Sequence, residues 1–174
     1  MSPTILVTSA TGKTGRRLIP LLTRRGVHVR AGTRTPGTAL PGVEPVRFDW
    51  TDTTTYEPAR KGVDAIYLVT NDQFIPGDPA EQVRTLLDGA AEAGVQRVVL
   101  LSALGIDQAP AEVPLRRVEL AVTRSAVPGT IVRPGAFMQN FSEKHWSRLD
   151  ETIRERDEVA GARCRLRGGK QDHE

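Results

Sequence analysis

The chain has 174 residues, 39% of them hydrophobic and 26% charged, enough to bury one core and most simply organised as one domain. No apolar stretch approaches the ~20 residues of a membrane span, and Met1-Ser2-Pro3-Thr4 enters an apolar run without a charged leader, so a cytoplasmic protein is expected. The lone Cys164 excludes an internal disulfide, and with His28, His145 and His173 scattered along the chain no metal site is expected.

In chain order, short apolar runs predict strands near residues 4–8, 27–32, 44–48, 63–69, 97–102 and 129–132. Amphipathic stretches predict helices near 13–25, 53–60, 79–93 and 112–126, with Gly26 and Gly94 as their C-terminal stops. Pro20 should kink the first helix, because its ring removes a hydrogen bond and crowds the preceding turn. Residues 33–45, rich in proline and glycine, read as a loop. Strands alternating with helices predict an α/β, three-layer, doubly wound parallel sheet of about six strands. Of the net charge of +3, two units come from segment 161–174, where Arg163, Arg165, Arg167 and Lys170 outnumber Asp172 and Glu174. The body is nearly neutral, which argues against a nucleic-acid partner.

The first strand runs into Thr8-Ser9-Ala10-Thr11-Gly12-Lys13-Thr14-Gly15, a tight turn that opens a helix. A triphosphate-binding GxxxxGK[ST] loop would need a glycine where Val7 stands, so that alternative fails. The spacing of a dinucleotide turn falls instead on Ser9, Gly12 and Gly15, two of which match. Free amides and the positive helix end would face a pyrophosphate there, and a serine hydroxyl at the first position could itself donate to phosphate. The second strand ends in Thr33-Arg34, where a carboxylate would select NAD by binding ribose hydroxyls. Arg34, with Lys13 as a second cation, favours NADP(H) over NAD(H).

Several segments together carry a family resemblance. The run 5–15, Phe48-Asp49-Trp50, the stretches 63–69 and 98–103, and Thr130-Ile131-Val132-Arg133-Pro134-Gly135-Ala136-Phe137-Met138-Gln139-Asn140 resemble the NmrA-like group of atypical short-chain dehydrogenases/reductases. The resemblance covers residues 3–156, making 1–156 the NAD(P)-binding domain and 157–174 a basic, disordered tail. It implies a Rossmann fold that binds NAD(P), in proteins that are either reductases, quinone reductases among them, or redox-sensing regulators. It also implies that most of a C-terminal substrate-binding part is missing here.

Ligands of open parallel sheets lie beyond the C-terminal strand ends, which gives residues there provisional roles. Asp49 would accept from the adenine amine and Trp50 would cover its ring, the alternative being an ordinary loop acid beside a core aromatic; Thr70 and Asn71 would lie beside the ribose and pyrophosphate, unless Asn71 only satisfies a turn. Ser102 and Ala103 would approach the nicotinamide, and Pro134 to Phe137 would border it and close part of the substrate pocket, with core packing the alternative for Phe137 and Met138. Ser102 matches the catalytic serine of the wider superfamily, but the usual tyrosine–lysine pair has no counterpart in 111–119, and Tyr56 and Tyr67 fall elsewhere. A serine can orient an acceptor or donate a hydrogen bond without replacing an acidic phenol. The expected activity is therefore NADPH-dependent reduction of a quinone-type or other activated small-molecule acceptor, with a non-catalytic NADP(H)-sensing regulator as the alternative. An oligomer or a regulatory partner is left open.

Overall fold

The computed structural model describes residues 2–37, 43–70, 77–135 and 137. It divides into two units, Met1–Pro134 and Gly135–Glu174. Asn71, Met138 and the expected tail 157–174 lie outside the described residues, and Phe137 falls in the second unit.

The first unit holds six strands, β1 (Thr4–Val7), β2 (His28–Thr33), β3 (Glu44–Arg47), β4 (Ala65–Leu68), β5 (Arg97–Leu101) and β6 (Gly129–Val132). Its helices are α1 (Gly15–Thr23), α2 (Tyr56–Arg60), α3 (Pro79–Glu92) and α4 (Pro114–Arg124). The strands form one sheet in the order β3-β2-β1-β4-β5-β6, every pair parallel, with Val7 opposite both Ala31 and Tyr67. The order reverses direction at β1, which opens a crevice above the C-terminal ends of β1 and β4.

Alternate strand residues feed two cores. On one face Ile19 of α1 packs with Val7, Val29 and Ala31. On the other, α2, α3 and α4 deliver Ala59, Leu86, Leu87, Val118 and Val122 onto Leu6, Ile66, Leu68, Val98 and Leu100. Beyond β3, Phe48, Trp50 and Tyr56 form an aromatic trio within this second core, with Trp50 edge-on to Phe48 at 4.9 Å and Phe48 stacked on Tyr56 at 5.3 Å.

Local chemistry accounts for most helix limits. Gly26 and Gly94 have φ of 74° and 79°, the left-handed geometry that stops a helix at low cost. Asp78 caps α3 by accepting from the Ala80 amide at 3.0 Å, with Pro79 in the first helical position. The helix expected over 53–60 is a 3-10 turn at Thr53–Thr55 followed by α2, because three consecutive β-branched residues resist the α-helical start. α1 runs through Pro20, which lies on its exposed side, where water can serve the carbonyl that Pro20 leaves unbonded. No helix among the described residues is long and apolar enough to cross a membrane.

Candidate functional site

The turn between β1 and α1 is built from close backbone approaches. Thr8 is fully buried; its amide donates to the Tyr67 carbonyl at 3.0 Å and its hydroxyl accepts from the Val69 amide at 2.8 Å, tying the ends of β1 and β4 together. Ser9 has φ of 51°, the only left-handed non-glycine among the described residues, at the position where the dinucleotide turn ordinarily has glycine. The Ala10 amide donates to the Gly32 carbonyl at 3.2 Å, which draws the turn toward β2. A Cβ on Gly12 would lie 3.0 Å from the Ser9 oxygen, and one on Gly15 only 2.5 Å from the Ala10 oxygen and 2.7 Å from that of Ser9. The amides of Thr11, Thr14 and Gly15 meet no protein acceptor among the described residues, as a cradle for an anionic ligand requires.

Ser9 carries the first expected result. Ser9→Gly should leave dinucleotide affinity unchanged or raise it, since relief of the left-handed backbone is set only against a 3.4 Å hydroxyl contact to the Val69 oxygen. Stability should move by no more than about 1 kcal/mol, because glycine also frees the unfolded chain. Ligand titration and thermal denaturation measure both quantities; a large drop in affinity would instead make the hydroxyl a required ligand.

Beside the turn, at the ends of β2 and β4, Thr33 Oγ1 and Thr70 Oγ1 are buried and have no hydrogen-bond partner among the described residues. Polar groups buried in this way fit a site completed by a polar ligand such as a ribose. Arg34 is exposed and close enough to Asp49 to act on it. The Asp49 carboxyl is held below its usual range, first by the Thr51 amide, against the opposing effect of burial, then by the Thr51 hydroxyl, Arg34 and Arg47. Both Thr51 groups bond Oδ1, at 3.0 and 2.9 Å, and among the described residues no donor occupies Oδ2. Trp50, expected to cover an adenine ring, is placed differently. It is 8% exposed, and its ring edges and faces are engaged by Phe48 and Tyr56.

At the ends of β5 and β6 the structure assembles a charged cluster around a residue that sequence reasoning missed. Ser102 donates to Glu119 Oε1 at 2.6 Å. Arg133, just after β6, donates through Nε to Oε1 at 2.8 Å and through Nη2 to Oε2 at 3.0 Å, while Arg116 of α4 donates to Oε2 at 2.9 Å. Glu119 is fully buried. Burial pushes its carboxyl up, but the bonds from Arg133, Ser102 and Arg116 outweigh burial and hold it below the ordinary value. The signal in the sequence was an acid at a core position of α4, flanked by the buried Val118, Ala121 and Val122. Ala103 is half-buried, and the Pro134 carbonyl accepts from the Leu104 amide at 2.9 Å, fixing the chain after β6 against that after β5. Among the described residues no group of three His, Cys, Asp or Glu could hold a metal ion.

A family model described as NAD(P)H-binding matches residues 9–162. The chain belongs to this NAD(P)H-binding family. The (4-alkanoyl-5-oxo-2,5-dihydrofuran-3-yl)methyl phosphate reductase of Streptomyces griseus is 41% identical over 143 residues, covering 78% of this chain and 49% of that protein. The crystal structure of the NADPH-dependent quinone oxidoreductase QOR2 of Escherichia coli, complexed with NADPH, superposes with a TM-score of 0.68 at 25% identity, covering 79% of this chain and 51% of that one. NmrA, a negative transcriptional regulator, shares the fold with a TM-score of 0.68 at 24% identity over 80% of this chain and 48% of its own. This member of the NAD(P)H-binding family thus spans about half the length of the proteins it matches.

Proposed function

We propose that this family member is the cofactor-binding half of an NADP(H)-dependent oxidoreductase acting on a quinone-type or other activated acceptor. The observation that carries most weight is the glycine turn, where Gly15 leaves no room for a side chain and the amides of Thr11, Thr14 and Gly15 meet no protein acceptor among the described residues. Thr8 to Gly15 would cradle the pyrophosphate, Thr33 and Thr70 would meet the ribose side, and Asp49 Oδ2 would accept from the adenine amine. Ser102, Ala103 and Pro134 would border the nicotinamide, which when bound supplies the hydride. The relatives named as reductases of a furanylmethyl phosphate and of quinones support an activated acceptor. Following NADPH consumption against a panel of quinones and conjugated lactones tests the activity, and a titration with NADPH tests the binding.

Arg34 and Lys13 would set the preference for NADP(H), standing where an NAD-selective carboxylate is absent. Arg34→Ala should weaken NADPH by roughly tenfold to a hundredfold and leave NADH unchanged, the worth of one charge-assisted phosphate contact. Equal affinity of the native chain for the two cofactors would refute this preference.

A second function, an NADP(H) sensor without turnover, is favoured by one observation. Neither tyrosine has the lowered pKa of an activated catalytic phenol: burial, with Asp49 and Asp52, pushes Tyr56 up to about 12, and burial raises Tyr67 despite the hydrogen bond from Thr14. Tight NADPH binding with no consumption across the panel would favour the sensor.

A further inference from the structure

Ser102 has one hydroxyl proton, and Glu119 takes it. The donor and acceptor in this bond are not interchangeable, because a carboxylate that also accepts one bond from Arg116 and two from Arg133 is ionised and has no proton to offer. The main-chain amide of Ser102 is committed as well, to the Val132 carbonyl at 2.8 Å. What Ser102 can turn toward a ligand at the end of β5 is a pair of oxygen lone pairs.

We propose that Ser102 meets its ligand as a hydrogen-bond acceptor, with Glu119 as the positioning residue that sets this polarity, so that the group seated against Ser102 carries an N–H or O–H. The inference rests on the dinucleotide site proposed above. Two sources can supply such a donor: the carboxamide of the nicotinamide, or a hydroxyl or amine on the molecule that accepts the hydride. A carbonyl oxygen gathering negative charge needs a donor instead, and Ser102 does not supply one while Glu119 is ionised.

Glu119 offers a way to reverse the polarity. In Glu119→Gln the amide nitrogen is best placed at the Oε1 position, where it opposes one guanidinium donor, rather than at Oε2, where it opposes two. It would then donate to the Ser102 oxygen and release the serine proton toward the ligand.

The test titrates the full chain with NADPH and with its 3-acetylpyridine analogue, whose methyl ketone has no N–H. Ser102→Ala should weaken NADPH by about fivefold and leave the analogue within about twofold. If the donor belongs to the hydride acceptor, the two dinucleotides respond alike and the split appears in KM, between an amino-substituted quinone and its parent. Glu119→Gln should invert whichever split is found; if that variant does not fold, the Ser102→Ala comparison decides alone. Equal losses for both members of each pair, or a larger loss for the member without a donor, would overturn the proposal. A native chain that binds neither dinucleotide overturns the cofactor site itself, a result distinct from NADPH binding without the expected split.

Discussion

Gly15→Val is expected to abolish dinucleotide binding and to destabilise the domain by about 3 kcal/mol or more. A Cβ at this position would stand 2.5 Å from the Ala10 oxygen and 2.7 Å from the Ser9 oxygen, and both obstacles are backbone. Neither can rotate away as a side-chain tip would, so α1 must shift from β1 and the amide cradle opens. Overpacking of a rigid site typically costs 1–3 kcal/mol, and the valine side chain adds two methyls beyond the colliding Cβ. Thermal denaturation and NADPH titration measure the two effects. A Gly15→Val protein of native stability that still bound NADPH would show that the close approach is not required.

Glu119→Ala is the second large effect, expected to cost about 3 kcal/mol. Removing one partner of a buried ion pair strands the other, a loss usually put at 3–5 kcal/mol. The lower end applies because the Arg116 and Arg133 side chains are 24% and 32% exposed and can recover part of their hydration. The carboxylate also bonds groups that follow β5 and β6, so its loss should loosen the edge of the sheet as well as α4. The pH dependence has a definite sign. The folded-state pKa of Glu119 lies below the unfolded value, so its contribution is fully present above about pH 4.5 and disappears as pH falls through the lowered value. The stability gap between the native chain and Glu119→Gln should therefore be constant near neutral pH and close in acid. A gap that widened on acidification would refute the assignment of Glu119 as the ionised acceptor.

The parts of the molecule that follow from short-range rules were legible in the sequence. Strand positions, the stops at Gly26 and Gly94, and the Ser9–Gly12–Gly15 turn depend on residues within a few positions of one another, and the structure places them where local chemistry requires. Arg34 at the end of β2 follows from the same counting. What could not be read depends on which distant groups share a space. Glu119 lies 17 residues from Ser102 and 14 from Arg133, and only the packing of α4 on β5 and β6 turns a lone acid in an apolar stripe into the centre of a four-residue cluster. The bond from the Ser102 hydroxyl to Glu119 could not be read from the sequence for that reason. Trp50 lies in the core for a related reason, since only the folded chain brings the rings of Phe48 and Tyr56 against its indole.

The Phe48–Trp50–Tyr56 trio gives the domain an internal light source. Only two tryptophans occur in the chain, and Trp50 is buried, with an indole N–H that has no partner among the described residues and a main-chain carbonyl that accepts from the Tyr56 hydroxyl at 2.8 Å. An indole without a polar partner emits toward the blue, and its emission moves to the red only when water reaches it. With Trp146 replaced by phenylalanine, the colour and intensity of one residue report on the integrity of the second core.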